Sequence, residues 1–368
     1  MMGIITRPPR LVAALRVQSS LHPSSQPSAM ADADTATLDA TLPIEPDSHS
    51  DDTDEAYAES SASSVLTSIA SEIRRGREEN GRIYPAYGSH EYGCPVDEHE
   101  LDRLDMQHHK YTMLLGDKLF LAPIGDGPQK ILDIGTGTGI WAIDMAEQFP
   151  SAEVIGTDIA PVQPTWTPPN CYFEVDDCEM DWQFRKNSFD FIHSRDCYLS
   201  VRDWPRFVRQ AFEHLKEGGH LELCCVWAVP QSDDGTLDMD SGYVELCQTF
   251  MEIGDSIGAD AHAPRRFKEH MHNAGFVDVQ ETVFKVPTSE WPKDKRLKKI
   301  GAMERMNLLE GGEAFLLRGF TKEFGRSRAE MEIMLMRMRK ELMANRFHSY
   351  VSFFVVHGRK PEQKRPSS

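Results

Sequence analysis

A glycine-rich segment with an acidic residue just before it is the part of this 368-residue chain best suited to chemistry. Asp133 precedes Gly135, Gly137 and Gly139, and Thr136 stands between the first two glycines. Glycines permit a tight turn and let the backbone approach a ligand without a Cβ clash. The segment closes a predicted strand and opens a predicted helix, whose N-terminus offers free N–H groups to an anion. These features predict a cofactor-binding loop.

Two classes of cofactor are compatible with this loop. In the frame Gly137, Gly139 and Ala142 it matches the pattern of a dinucleotide-binding loop, but the carboxylate of Asp133 would repel a pyrophosphate. S-adenosylmethionine carries an ammonium and a sulfonium and no phosphate. Asp133 can then hold the amino group, directly or through water, while the helix N-terminus accepts the carboxylate. The charges favour S-adenosylmethionine over a nicotinamide dinucleotide.

Further acids follow the next two predicted strands. Asp158 ends the second strand, next to Ile159, where its carboxylate can accept hydrogen bonds from the ribose hydroxyls of either cofactor. After the third strand, Asp177 and the backbone N–H near Cys178 could read the edge of an adenine. A solvated turn is the alternative for this last pair.

Three histidines are the candidates for acid–base chemistry. Displacement of a methyl group from a sulfonium mainly needs positioning and desolvation, and a base is needed only if the acceptor must lose a proton. His193 ends the fourth predicted strand, and its alternative role is to bond the backbone around the cofactor. His108 and His109 precede the first strand on two sides of a predicted helix, so at most one of them faces the site.

The elements that position these residues alternate between strands and helices. Repeated strand–helix–strand units predict a parallel sheet with right-handed crossovers. The C-terminal third is more helical. The predicted strands cover 130–134, 153–157, 171–175, 189–193, 220–228, 277–286 and 349–357, and the late helices cover 242–257, 264–274, 297–309 and 328–345.

Composition narrows the class of protein. The net charge of −18 argues against nucleic acid as a partner. No apolar run approaches the roughly 20 residues that a membrane span needs. Seven cysteines without C-x-x-C spacing indicate reduced thiols and no structural metal site. We therefore expect a cytoplasmic protein. A nuclear location is one alternative, and a mitochondrial one is another because the first thirty residues hold three arginines and no acid.

The order of these motifs resembles the class I S-adenosylmethionine-dependent methyltransferases. The glycine motif, the acids after the second and third strands, and the turn Leu-Lys-Glu-Gly-Gly at 215–219 occur in the expected order. More narrowly, the segments at 78–84, 97–105, 139–142 and 158–164 are similar to the fungal LaeA-like methyltransferases. That family includes tailoring enzymes and regulators of secondary metabolism. The resemblance covers roughly residues 70–360.

The resemblance implies an α/β fold with a Rossmann-like, seven-stranded, mostly parallel sheet. Its last strand would run antiparallel, and helical insertions would cap the C-terminal part. It also implies that S-adenosylmethionine is the cofactor. The predicted cofactor-binding residues are Asp133, Gly135, Thr136, Gly137, Gly139, Asp158, Ile159, Asp177 and Cys178.

Five segments follow from this interpretation. Residues 1–62 are predicted to be a disordered leader, 63–125 an N-terminal helical and lid segment, and 126–230 the cofactor-binding core. Residues 231–358 would form a helical substrate cap with the last two strands, and 359–368 a disordered tail.

The predicted activity is methyl transfer to a hydrophobic small-molecule acceptor in fungal secondary metabolite biosynthesis. One alternative is a LaeA-type regulator that acts through protein partners. The other is a nicotinamide-dependent oxidoreductase, which the carboxylate of Asp133 disfavours.

Overall fold

The computed structural model describes residues 70–197 and 199–362. The predicted leader at 1–62 and residues 363–368 of the predicted tail lie outside the described residues. Among the described helices, none is long and apolar enough to cross a membrane. All seven cysteines lie in the described part of the chain, and none of them forms a disulfide.

The N-terminal segment carries a small hairpin that the sequence interpretation missed. After helical residues 70–75, β1 (Arg77–Glu79) and β2 (Arg82–Tyr84) pair antiparallel. Asn80 and Gly81 connect them with φ angles of 54° and 77°. Two positive φ angles in a two-residue loop are typical of an Asn-Gly hairpin turn, so this pair was the available signal.

The first long helix, α1 (Glu98–Leu114), is tied to this hairpin. Its N-cap residue Asp97 accepts a hydrogen bond from the Glu100 N–H. The guanidinium of Arg82 donates two hydrogen bonds to the same carboxylate, at 2.7 and 2.8 Å. One side chain therefore caps the helix and anchors the hairpin against it.

A seven-stranded sheet forms the centre of the molecule, in the order β5-β4-β3-β6-β7-β9-β8. β9 is antiparallel to both of its neighbours, while the other neighbouring pairs are parallel. This confirms the predicted Rossmann-like sheet with an antiparallel last strand. The strands are β3 (Lys130–Ile134), β4 (Glu153–Asp158), β5 (Cys171–Val175), β6 (Phe189–Arg195), β7 (Leu215–Ser232), β8 (Val277–Pro287) and β9 (Ser349–Arg359).

Helices cover both faces of the sheet because side chains alternate along each strand. Ile131 of β3 packs in an apolar cluster with Trp141 of α2 (Ile140–Gln148). Its neighbour Leu132 packs in a second cluster with Phe207 of α3 (Trp204–His214). The remaining helices are α4 (Gly242–Ser256), α5 (Phe267–Ala274), α6 (Lys295–Lys322) and α7 (Arg328–Ala344).

Two predicted boundaries in the C-terminal third are wrong. The helix predicted at 297–309 continues to Lys322 as α6, through Gly312 and Gly319. A Cβ at Gly319 would lie 2.4 Å from Ile253 of α4, so the glycine lets the two helices approach closely. The predicted tail begins inside β9, which extends to Arg359. Lys360 follows and donates to the carbonyl of Phe212 at 2.7 Å.

Candidate functional site

The glycine loop leaves the carboxyl end of β3 and is fastened to the end of β4. The N–H groups of Gly135 and Thr136 both donate to the carbonyl of Thr157 at 2.9 Å. Gly135, Gly137 and Gly139 all have positive φ angles. A Cβ at Gly139 would lie 2.4 Å from the Phe173 ring, whereas one at Gly137 would meet only Leu104, at 3.7 Å. Gly137 therefore presents bare backbone to the space beside the loop.

That space is a cleft at the carboxyl ends of β3, β4 and β5. Gly135, Gly137, Asp158, Ile159, Asp177 and Cys178, all predicted to bind the cofactor, line it. The opposite wall comes from the segment 88–96 and from Leu101 and Leu104 of α1. Ligands of open α/β sheets bind at this edge, so the cleft has the location expected for a cofactor.

Asp158 is the best placed of the predicted acids. Its Oδ2 accepts the N–H of Gly137 at 2.8 Å, and its Oδ1 accepts the N–H of Ala160 at 3.0 Å. Loss of solvent around this carboxyl raises its pKa to about 6, against the opposing effect of those two hydrogen bonds. A carboxylate held at a strand end in this way can accept hydrogen bonds from vicinal hydroxyls.

Asp177 joins the two walls of the cleft. Its Oδ2 accepts the N–H of Ser89 at 2.6 Å, and its Oδ1 accepts the N–H of Glu179 at 3.0 Å. The neighbouring acid Asp176 also lines the cleft, and burial raises its pKa to about 6. A cation is favoured in such surroundings. The bare glycine backbone and the strand-end acids thus fit S-adenosylmethionine, which has ribose hydroxyls and two cationic groups.

Asp133 lies behind the loop and is not among the residues that line the cleft. Its Oδ2 accepts the hydroxyl of Thr136 at 2.6 Å, and its Oδ1 accepts Nδ1–H of His193 at 2.8 Å. Thr136 and Gly139, like Asp133, are outside the cleft lining. Both carboxylate oxygens of Asp133 thus accept hydrogen bonds from protein groups. Its predicted contact with the amino group of the cofactor stays a prediction.

His193 lies in a buried polar row across the sheet. The register pairs Asp133 with His193, His193 with Glu222, and Glu222 with His357. The Trp141 ring stacks on the His193 ring with centroids 3.8 Å apart, and burial lowers the pKa of this histidine. His193 is not among the side chains that line the cleft. Its position supports a role in orienting Asp133, while the predicted catalytic role stays a prediction.

His108 and His109 point to opposite sides of α1, as their spacing predicts. His108 is buried: its Nε2 donates to Asp144 at 2.8 Å, and its Nδ1 accepts from Arg195 at 3.1 Å. His109 is exposed. Neither lines the cleft. His108 instead holds the guanidinium of Arg195, which does line it.

A second cavity, here called the chamber, opens beside the cleft. Tyr92, Leu104, Asp196 and Leu199 line both spaces. The rest of the chamber is built from α1, β7, α4, α6 and β9. Its walls are mostly apolar and include Val226, Tyr243, Leu246, Phe250, Leu308, Phe315 and Val351. Cavities with apolar walls and a few polar groups are typical sites for small molecules.

Asp196 stands at the junction and was missed by the sequence analysis. It follows the end of β6 with a φ of 56°, which is uncommon for a residue with a side chain. Its Oδ1 accepts the N–H of Val226 at 3.0 Å, and burial together with the negative charge of Asp196 raises the pKa of Tyr111. Strained backbone of this kind clusters at functional sites. The signal in the sequence that could have identified Asp196 was its position directly after a predicted strand of a parallel sheet.

A stripe of polar side chains borders the chamber where α1 meets α6. Arg103 donates to Glu100 at 2.9 Å and to Asn307 at 2.6 Å. Lys110 is ion-paired with Glu304. These groups are all buried, and each charged one has an oppositely charged partner within the protein. The sequence interpretation did not identify this stripe.

Comparisons with known proteins agree with this geometry. A family model described as a methyltransferase domain matches residues 106–281. "Methyltransferase pytC" of Aspergillus terreus is 41% identical over 299 residues, covering 81% of this chain and 92% of that protein.

Two further relatives carry regulatory or protein-directed descriptions. "Secondary metabolism regulator LAE1" of Cochliobolus heterostrophus is 36% identical over 295 residues, covering 77% of this chain and 95% of that one. "Protein-methionine methyltransferase laeA" of Emericella nidulans is 31% identical over 303 residues, covering 81% and 80%.

Proposed function

The chain belongs to the S-adenosylmethionine-dependent methyltransferases, and from this premise we propose that it methylates a small-molecule acceptor held in the chamber. One observation carries the proposal: cleft and chamber share Tyr92, Leu104, Asp196 and Leu199. A cofactor in the first space and an acceptor in the second would meet at these four residues.

When bound, S-adenosylmethionine would supply a methyl group that a lone pair of the acceptor can take by attack on its carbon, with S-adenosylhomocysteine as the leaving group. The task of this chain is to position the two partners and to exclude water between them. Asp158 would accept the ribose hydroxyls, and Asp177 holds the segment 88–96 over the cleft through the Ser89 N–H. Tyr92, Leu104 and Leu199 form the apolar part of the junction.

Asp196 is proposed as the general base for an acceptor that must lose a proton. It is the one carboxylate that lines both spaces among the residues that the structure describes. Its backbone is fixed by a hydrogen bond to the carbonyl of Cys224 at 2.9 Å, and one carboxylate oxygen is oriented by Val226. A carboxylate fixed at the junction can accept a proton from an acceptor hydroxyl or N–H as the bond between the acceptor atom and the methyl carbon forms.

A small molecule is favoured over a protein acceptor by the position of the chamber. It lies between α1, α4 and α6, so an acceptor must be enclosed by several elements. A role in secondary metabolism is proposed because a relative of this chain is named a secondary metabolism regulator.

A regulatory role is the second candidate, because the relatives include proteins described as regulators or as a protein-methionine methyltransferase. In that case a methionine side chain would reach the junction, and no base would be needed because a thioether has no proton to lose. The two candidates therefore differ in their dependence on Asp196.

The test uses the full chain with S-adenosylmethionine labelled in its methyl group. The purified chain is incubated separately with a small-molecule extract and with a protein fraction of the producing organism. Label in an extractable small molecule is expected, and label confined to protein would overturn the proposal in favour of the second candidate. Calorimetric titration with S-adenosylmethionine and NAD in parallel checks the cofactor, and tight binding of NAD alone would contradict it.

Deleting the gene separates the two candidates in the cell. An enzyme of one pathway should leave one unmethylated intermediate, whereas a regulator should silence many metabolites at once. We also propose a cytoplasmic location, which fluorescence of a tagged chain would test against the nucleus and mitochondria.

A further inference from the structure

We propose that Gln107 selects acceptors that carry a neutral cis-amide edge, such as a lactam with its N–H beside its C=O. The proposal rests on the proposed function, because it names the class of molecule that the chamber would take. A side-chain amide has one acceptor oxygen and a donor nitrogen side by side. It can therefore pair with a lactam edge through two parallel hydrogen bonds.

Gln107 is an unpaired polar group in the wall of the chamber. It lines that cavity and is only 5% exposed. Neither its Oε1 nor its Nε2 has a hydrogen-bond partner among the described residues. The great majority of buried side-chain polar atoms are paired, because an unpaired one loses its hydration without compensation. An amide with both ends unpaired at a cavity wall is therefore expected to serve a ligand.

The neighbours of Gln107 are already engaged with one another. One turn before it, Arg103 donates to Glu100 and to Asn307. Near the other end of the stripe, Lys110 is paired with Glu304, which also accepts the amide of Asn307 at 3.2 Å. Gln107 is thus the member of the stripe whose hydrogen-bonding groups remain for an occupant of the chamber.

The same pairing argues that the recognised group is neutral. A carboxylate in the chamber would need an uncompensated cation, but Arg103 and Lys110 each have a buried acidic partner. An ammonium beside Gln107 would likewise find Glu100 and Glu304 occupied, and the other carboxylate of the chamber wall, Asp196, lies at the junction with the cleft. A lactam or similar cis-amide offers one donor and one acceptor with no net charge, which matches the Gln107 amide.

The apolar walls describe the rest of the molecule. Leu104 and Tyr111 lie beside Gln107 on α1, and Phe250 of α4 and Phe315 of α6 also line the chamber. An aromatic or otherwise hydrophobic body would fill this space while its amide edge meets Gln107. The acceptor atom would then face Asp196 and the cleft.

The test uses a matched pair of probes, 2-quinolone and 1-methyl-2-quinolone, with the full chain saturated with S-adenosylhomocysteine. The two probes share the same bicyclic ring and carbonyl, but the second carries a methyl group in place of the N–H. Binding is measured by calorimetry. The chain should bind 2-quinolone about 10- to 100-fold more tightly, as expected for loss of a buried hydrogen bond. Equal binding of the two probes, or binding of neither, would overturn the proposal.

Gln107→Met removes the amide while keeping an unbranched side chain of similar length. It should abolish the preference for 2-quinolone and leave binding of S-adenosylhomocysteine unchanged. Because an unpaired buried amide is replaced by an apolar group, Tm should rise, by about 2–4 °C. A fall in Tm with retained preference would show that Gln107 is structural. Gln148→Met, at an exposed position of α2, is the control that should change neither quantity.

Failure of this proposal is distinguishable from failure of the proposed function. If the chain does not bind S-adenosylhomocysteine at all, the methyltransferase assignment of the cleft fails. If it binds the cofactor product and transfers label to a small molecule, but ignores the N–H of the probe, only the role of Gln107 is lost.

Discussion

The cleft and the chamber adjoin each other, yet they are built in opposite ways. The cofactor side of the cleft comes from the ends of three adjacent strands and their loops, between Ile134 and Cys178. The chamber draws on α1, β7, α4, α6 and β9, from Tyr92 to Val351. The cofactor side of the cleft is built from elements that are consecutive in the chain, so one local sequence motif can specify it. The chamber is built mainly from helices far apart in sequence, whose side chains can change without disturbing the sheet. Under the proposed function, the cofactor and the acceptor would be recognised by separable parts of the fold.

The cleft and the chamber also differ in the charges of their walls. Asp158, Asp176 and Asp177 line the cleft, whereas Arg103 and Lys110 beside the chamber are each paired with a buried acid. A cationic ligand is therefore favoured in the first space and a neutral one in the second.

Asp196→Asn tests the residue that the two regions share. Asparagine tolerates the positive φ at this position and keeps the shape of the side chain, but it cannot accept a proton. We expect kcat to fall about 10²- to 10⁴-fold with little change in the affinity for S-adenosylmethionine. Initial-rate kinetics and calorimetry measure the two quantities. An unchanged kcat would favour an acceptor without a proton to lose, such as a thioether.

Glu304→Ala tests the packing of the chamber wall. It leaves the buried ammonium of Lys110 without its partner, which should lower the free energy of unfolding by about 3–5 kcal/mol. Urea unfolding measures this. Glu213→Ala breaks the exposed pair with Lys186 and should cost less than about 1 kcal/mol. Equal effects of the two substitutions would mean that the buried pair contributes nothing specific.

Gly137→Val tests the cleft alone. A valine at a φ of +57° is strained, and its side chain would project from the loop where bare backbone now faces the cleft. Affinity for S-adenosylmethionine should fall about 100-fold or more, while 2-quinolone binding should fall much less. Gly235→Val carries similar strain at a φ of +72° with open space around it, and is the control for backbone effects. Loss of cofactor binding in both variants would show that backbone strain alone abolishes binding, and it would contradict a specific role for the Gly137 backbone.

The pH dependence of cofactor binding should be the smallest effect. Burial raises the pKa of Asp158 to about 6, so the carboxylate that we propose accepts the ribose hydroxyls becomes protonated below that pH. Affinity should decrease by at most about tenfold per pH unit below 6. Stability has the opposite sign: because the folded pKa exceeds the unfolded value, this group's contribution to the free energy of unfolding declines as the pH rises from about 4 to 6.

Asp158→Asn should flatten the affinity profile, as calorimetry at several pH values would show. The pKa of Asp176 is also raised to about 6, so Asp176→Asn is the matched control within the same cleft. If the control flattens the profile and Asp158→Asn does not, the wrong acid has been assigned to the ribose.

The cofactor-binding core was largely predictable because its signals are local. The apolar run at 130–134, the glycines and the acid at Asp158 all lie within one strand–helix–strand unit. The β-strand period and the helix-breaking turns set these elements almost without reference to the rest of the chain. The small hairpin at β1 and β2 was missed although its Asn-Gly turn was visible.

The histidines predicted to be catalytic show what local reasoning leaves undetermined. His193 ends a strand in the expected place, but its register beside Asp133 and the stacking of Trp141 put it behind the loop. His108 is held by Asp144 and Arg195. Each partner is distant in sequence, so the spacing of the histidines carried no information about it. The end of α6 was also predicted too early, since the helix continues past residue 309 and Gly319 packs closely against Ile253 of α4.

The sequence by itself determined the class of sheet, the position of the glycine loop and the acids that meet at its strand ends, because neighbouring parallel strands end at one edge. Only the tertiary structure decided which side chains line the chamber. Asp196 lines both the cleft and the chamber, and Gln107 is left unpaired because α6 supplies partners to Arg103 and Lys110 and not to it. Pairing between distant elements depends on packing, and packing is not encoded in the spacing of any one segment.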